Sequence, residues 1–110
     1  MISERLLFVV QRKSAMVLAP LVIVHLVLIM LAVEGGLSAG EILNRTRGSI
    51  GWAVFYVLFV IAVSLHAPIG MRNILREWTS LSWKAINGLS LLLGLLLLGL
   101  GLRAVVAVVA

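Results

Sequence analysis

Three long stretches of the chain contain no Asp, Glu, Lys or Arg: Ala15 to Val33, Gly51 to Met71 and Ala85 to Leu102. Each is long enough to cross a hydrocarbon core of about 30 Å as a helix, which takes about 20 residues. A soluble fold of 110 residues would have to cover three such segments with polar surface. With 12% charged residues against 63% apolar ones, that surface is missing. The sequence predicts an all-α membrane protein with three transmembrane helices in a single membrane-anchor domain, and leaves no length for a separate catalytic domain.

The charged residues mark the boundaries. A head (1–13) carries Glu4, Arg5, Arg12 and Lys13 and precedes a first span over about 15–33. Leu6 to Val10 is too short to cross and is expected to lie flat in the interface. The first span is read as retained rather than cleaved, because two more spans follow it. A loop over 34–50 is rich in Gly, Asn and Arg, and the second span covers about 51–71 with Trp52 and Tyr56 at its start. A second loop (72–84) with Trp78 and Trp83 leads to the third span, about 85–102.

Basic residues concentrate in the head (Arg5, Arg12, Lys13) and the second loop (Arg72, Arg76, Lys84), so both are expected on the cytoplasmic side with the N-terminus. The net charge of +5 is thus spread along span ends and forms no patch for nucleic acid. There are no cysteines, which excludes disulfides, thiolate metal sites and covalently attached haem. In the third span Asn87, Ser90, Gly94 and Gly101 fall on one stripe of small residues, expected to face another helix.

All four glutamates lie outside the spans or at their very ends. The exceptional embedded groups are His25 and His66. An imidazole in lipid is costly without a partner, and two readings stand: a hydrogen bond to a neighbouring helix, or axial ligation of haem iron. Around His66, Gly70 one turn later removes bulk where a flat macrocycle would approach, and Pro68 removes the hydrogen bond to the Ser64 carbonyl. Arg72 and Arg76 are placed to pair with haem propionates, although the bias of basic residues to the cytoplasmic side also accounts for them.

Counted from the span ends, His25 and His66 differ in depth by about 6 Å. Either tilt brings both to one iron, or each is half of a pair completed by another polypeptide, the preferred reading. Ser14, three turns before His25, lies beside Gln11, Arg12 and Lys13. Its hydroxyl and the Arg12 guanidinium suit the carbonyl oxygens of a quinone.

With these residues in view, the chain resembles the cytochrome b membrane-anchor subunits of succinate dehydrogenase and fumarate reductase, the succinate:quinone oxidoreductases. Leu65-His66-Ala67-Pro68-Ile69-Gly70-Met71-Arg72 is similar to that family's H-x-x-x-G-x-R segment, where the His is an axial haem b ligand. Gln11-Arg12-Lys13-Ser14 is similar to the R-x-S segment, where Ser and Arg help form the quinone pocket. Gln11 stands where many single-haem members carry His. His25-Leu26 resembles the first-helix ligand of the two-haem branch, in which the two histidines serve different haems.

The resemblance implies a bacterial inner-membrane, multi-pass subunit with one haem b, or two shared with a partner. It implies docking of the flavoprotein and iron–sulfur subunits, a second membrane-anchor subunit that enlarges the helix bundle, and quinone as the substrate. Such a subunit belongs to an enzyme without being catalytic alone. The competing readings are a small multi-span transporter, disfavoured by the lack of a membrane-embedded acid, and a haem-free structural or assembly subunit.

Overall fold

The computed structural model describes residues 3–36 and 38–110, with the backbone alone at position 39. It contains four helices: α1 (Glu4–Gly35), α2 (Ala39–Thr46), α3 (Ile50–Trp78) and α4 (Trp83–Val109). α1, α3 and α4 are long and apolar enough to cross a membrane. Each helix begins at a serine whose hydroxyl accepts the backbone N–H three residues on: Ser3 from Leu6, Ser38 from Glu41, Ser49 from Trp52 and Ser82 from Ala85, at 3.1 to 3.2 Å. These caps satisfy donors that a helix leaves unpaired at its start. α1 ends at Gly36, whose φ of 87° is open to glycine.

The three long helices form a row with α3 in the middle. Their register follows from side-chain pairs. Glu4 meets Arg72, Ser14 meets His66, and His25 meets Tyr56 and Phe59, so α1 and α3 run antiparallel. Arg72 meets Asn87 and Pro68 meets Gly94, while the Gly101 backbone lies against Val60, so α4 runs antiparallel to α3. The stripe of small residues on α4 therefore packs on α3. A methyl added at Gly94 would stand 3.2 Å from Pro68 Cγ and 3.4 Å from the Ser64 carbonyl oxygen, the carbonyl that Pro68 leaves without its helical donor.

At the opposite end, α2 folds back on the last turn of α4. The Thr46 hydroxyl donates to the Val108 carbonyl at 2.6 Å, and the Gly48 N–H donates to the Val109 carbonyl at 2.8 Å. Those carbonyls have no partner within their own helix, so the loop supplies one.

The expected spans all lie within long helices, but three details differ. The head does not lie apart: with Ser3 as cap, Glu4 in the first turn and no breaker before Ala15, Leu6 to Val10 belong to α1. The first loop contains α2. The second connection shrinks to residues 79–82, because α3 continues through Arg72 and Arg76 to Trp78.

Candidate functional site

Glu4, Gln11, Ser14, His66, Arg72, Arg76 and Asn87 lie together toward the end where α1 and α4 begin and α3 finishes. His66, half-buried on α3, faces α1. Its Nδ1 lies 3.3 Å from the Gln11 carbonyl oxygen and 3.3 Å from Ser14 Oγ, while the buried Ser14 hydroxyl donates to the same carbonyl at 3.0 Å. A carbonyl only accepts, so contact with it requires the proton on Nδ1. In the tautomer with Nδ1 protonated, the ring donates to that carbonyl and to Ser14 Oγ, and Nε2 is left with the lone pair. A metal-bound histidine has this arrangement, with the non-ligating ring N–H given to a backbone carbonyl that fixes tautomer and orientation.

The space left by Gly70 is used within the chain: a Cβ there would meet Gln11 Nε2 at 3.4 Å. Gln11 thus contributes its carbonyl to His66 and its amide to the Gly70 surface. Its Oε1 is buried without a hydrogen-bond partner.

About 9 Å further along α3, the Arg72 side chain is only 10% exposed. Its Nε donates to Asn87 Oδ1 at 2.9 Å, and Nη1 and Nη2 donate to the two Glu4 carboxylate oxygens at 3.0 and 2.5 Å. The guanidinium also stands 4.7 Å above the Trp83 ring. Arg76, one turn on, lies 5.0 Å from the same ring and places Nη1 3.8 Å from Glu4. These contacts join the first turns of α1 and α4 to the last turns of α3. Sequence reading named both arginines but not Glu4, Asn87 or Trp83 as their partners. Asn87, a polar side chain in an otherwise apolar helix, was the signal available for one of them.

His25 is elsewhere. It is eleven residues beyond Ser14, about 16 Å along α1, rather than the 6 Å expected from span ends. Its ring packs 5.1 Å from Phe59 and 6.3 Å from Tyr56, and its Nδ1 is buried without a hydrogen-bond partner. The two histidines therefore do not converge on a common point. Arg12 lies on the exposed side of α1, away from the buried Ser14. Among the described residues no three His, Asp or Glu side chains cluster to hold a metal ion.

The donor set at His66 suits haem: an imidazole whose Nδ1 is held against the Gln11 carbonyl and Ser14, with Nε2 as its other ring nitrogen, and guanidinium groups one to three turns away. No curated protein and no solved structure matches the chain. The family profile described as succinate dehydrogenase/fumarate reductase transmembrane subunit matches residues 3–108. With three helices long enough to span a membrane and a match over nearly its whole length, the chain belongs to the family of transmembrane subunits of succinate dehydrogenase and fumarate reductase.

Proposed function

We propose that this chain is the haem b-bearing membrane anchor of a succinate:quinone oxidoreductase, with His66 as an axial ligand through Nε2. The observation that carries the reading is the 3.3 Å contact of His66 Nδ1 with the Gln11 carbonyl, since a ring that donates there through Nδ1 presents Nε2 to a metal. Haem would supply a one-electron carrier between iron–sulfur clusters and quinone. The protein's part is to hold the imidazole in one tautomer, to keep Gln11 and Gly70 in contact, and to hold guanidinium charge at Arg72 and Arg76 toward the propionates.

Ser14 remains a proposed quinone contact with a narrower geometry, while Arg12, on the other side of α1, would meet a quinone only from outside that pocket. The Ser14 hydroxyl is already engaged with Gln11 and His66, so a quinone oxygen would reach it only in exchange for one of them. His25 is proposed as ligand to a second haem completed by a partner subunit, since its ring lies too far from the His66 level for a shared iron.

With no cysteine in the chain to hold them, the clusters would reside on the iron–sulfur subunit, and the flavin on the flavoprotein subunit. They would dock at the end carrying Arg5, Arg12, Arg72, Arg76 and Lys84, which the positive-inside rule places on the cytoplasmic side of a bacterial inner membrane. A second anchor subunit would complete a bundle that three helices only begin. The test is the reduced-minus-oxidised absorption spectrum of the purified complex. A b-type signal that disappears, wholly or by one haem, in His66→Ala is expected. A haem content unchanged by that substitution refutes the ligand assignment.

A further inference from the structure

The Arg72 ion pair is built asymmetrically. The guanidinium half is fixed: it is nearly buried, held by Asn87 through Nε and by the Trp83 ring across its face, and neither contact depends on Glu4. The carboxylate half is not fixed. Glu4 is the first residue of α1, its side chain is 59% exposed, and among the described residues its carboxylate pairs with the two arginines. The Nη1 and Nη2 atoms present the paired donors that accept any carboxylate end-on. If Glu4 left, Arg72 would keep its orientation and lose only its occupant, and the disturbance would be limited to a helix terminus, where fraying costs little.

Charge points the same way. Arg72 and Arg76 share the Trp83 ring and the single Glu4 carboxylate, so two cations are matched by one anion. We infer that Arg72 is a carboxylate socket with an exchangeable occupant: Glu4 fills it in the haem-free chain, and a haem propionate replaces Glu4 when haem binds. This rests on the haem reading above and adds the regulation of its binding site. Two propionates would match two guanidinium groups, and Glu4 would be released to solvent. Glu4 is thereby a competitor that sets how readily the site loads, and a placeholder that keeps Arg72 paired until it does.

The test is haem titration into the haem-depleted complex, followed by absorbance, for wild type, Glu4→Gln, Asn87→Ala and His66→Ala. Removal of a competing carboxylate at a partly exposed pair should tighten haem binding by roughly 3- to 10-fold in Glu4→Gln. Asn87→Ala, which loosens the socket itself, should weaken it. With haem dimethyl ester, whose propionates are uncharged, wild type and Glu4→Gln should bind alike. In wild type, amide exchange over Leu6 to Phe8 should accelerate when haem is added. Equal or weaker haem binding by Glu4→Gln, with His66→Ala lacking the haem assigned to His66, overturns the exchange and leaves the ligand reading intact. A gain in Glu4→Gln that persists with the dimethyl ester overturns the propionate as the exchanging anion and points to a lipid phosphate. Wild-type haem binding in His66→Ala, or none in any protein, overturns both readings.

Discussion

The contact between α3 and α4 makes a prediction whose sign differs between two glycines of the same helix turn. At Gly101 an added methyl would lie 2.6 and 2.9 Å from the two Val60 methyl carbons, closer than carbon atoms can stand. Either Val60 changes rotamer, which a β-branched side chain in a helix resists, or the helices separate. Overpacking of this kind costs about 1–3 kcal/mol, while replacing Gly by Ala in a helix returns about 1 kcal/mol, so Gly101→Ala should lose roughly 1 kcal/mol net. At Gly99 nothing lies within 4 Å of the added methyl, so Gly99→Ala keeps the propensity gain of about 1 kcal/mol. The two alanine variants should therefore differ by about 2 kcal/mol in reversible unfolding measured in mixed detergent. Val60→Ala in the Gly101→Ala background should recover most of the loss, because it removes the methyls that collide. Equal stability of the two variants, or no rescue by Val60→Ala, would refute the close approach of α4 to α3 at this level.

Other expectations concern the polar contacts. Ser14→Ala removes one of two acceptors at His66 Nδ1 and leaves the Gln11 carbonyl, so it should cost about 1 kcal/mol, or about 5-fold in haem affinity, with haem stoichiometry retained at saturation in the pyridine haemochrome assay. Thr46→Val keeps the shape but removes the donor to Val108, leaving a part-buried carbonyl without this partner at a cost of about 1 kcal/mol. Faster amide exchange across the last turn of α4, with the α3–α4 register unchanged, is its expected signature. His25→Leu should leave the stability of the haem-free protein unchanged or raised, since Nδ1 has no hydrogen bond to lose. In the assembled complex it should remove one haem and spare the one at His66, as read from the haem-to-protein ratio.

The spans were legible because charge is excluded from hydrocarbon, and that exclusion is written residue by residue. Other features were not written locally. α2 has only eight residues, set among glycines, and its packing on the end of α4 depends on carbonyls more than sixty residues away. Span ends put His25 too near the level of His66 because Arg12 and Lys13 do not mark the start of a helix. They lie instead on the exposed side of one that begins at Glu4, and long basic side chains can reach an interface from below it.

The site shows why register in particular escapes a reading of one segment at a time. In water, an apolar face selects its partner by removing area from solvent; between helices in lipid that drive is absent, and close backbone approach and polar pairing decide the register. Here Gly94 against Pro68 and Gly101 against Val60 fix α4 on α3, and Ser14 with His66 fixes α1 on α3. Arg72 ties all three through Glu4 and Asn87. Ser14 and His66 were both visible as unusual residues, but each suggested a separate ligand, because nothing in either segment says that their heights coincide. Once they do coincide, the hydroxyl proposed as a quinone contact also stands within hydrogen-bond reach of the imidazole. The charge read as a propionate partner already holds a carboxylate from the first turn of α1. The residue types limited the chemistry to an imidazole, a hydroxyl and two guanidinium groups, and the antiparallel register determined which of them act together.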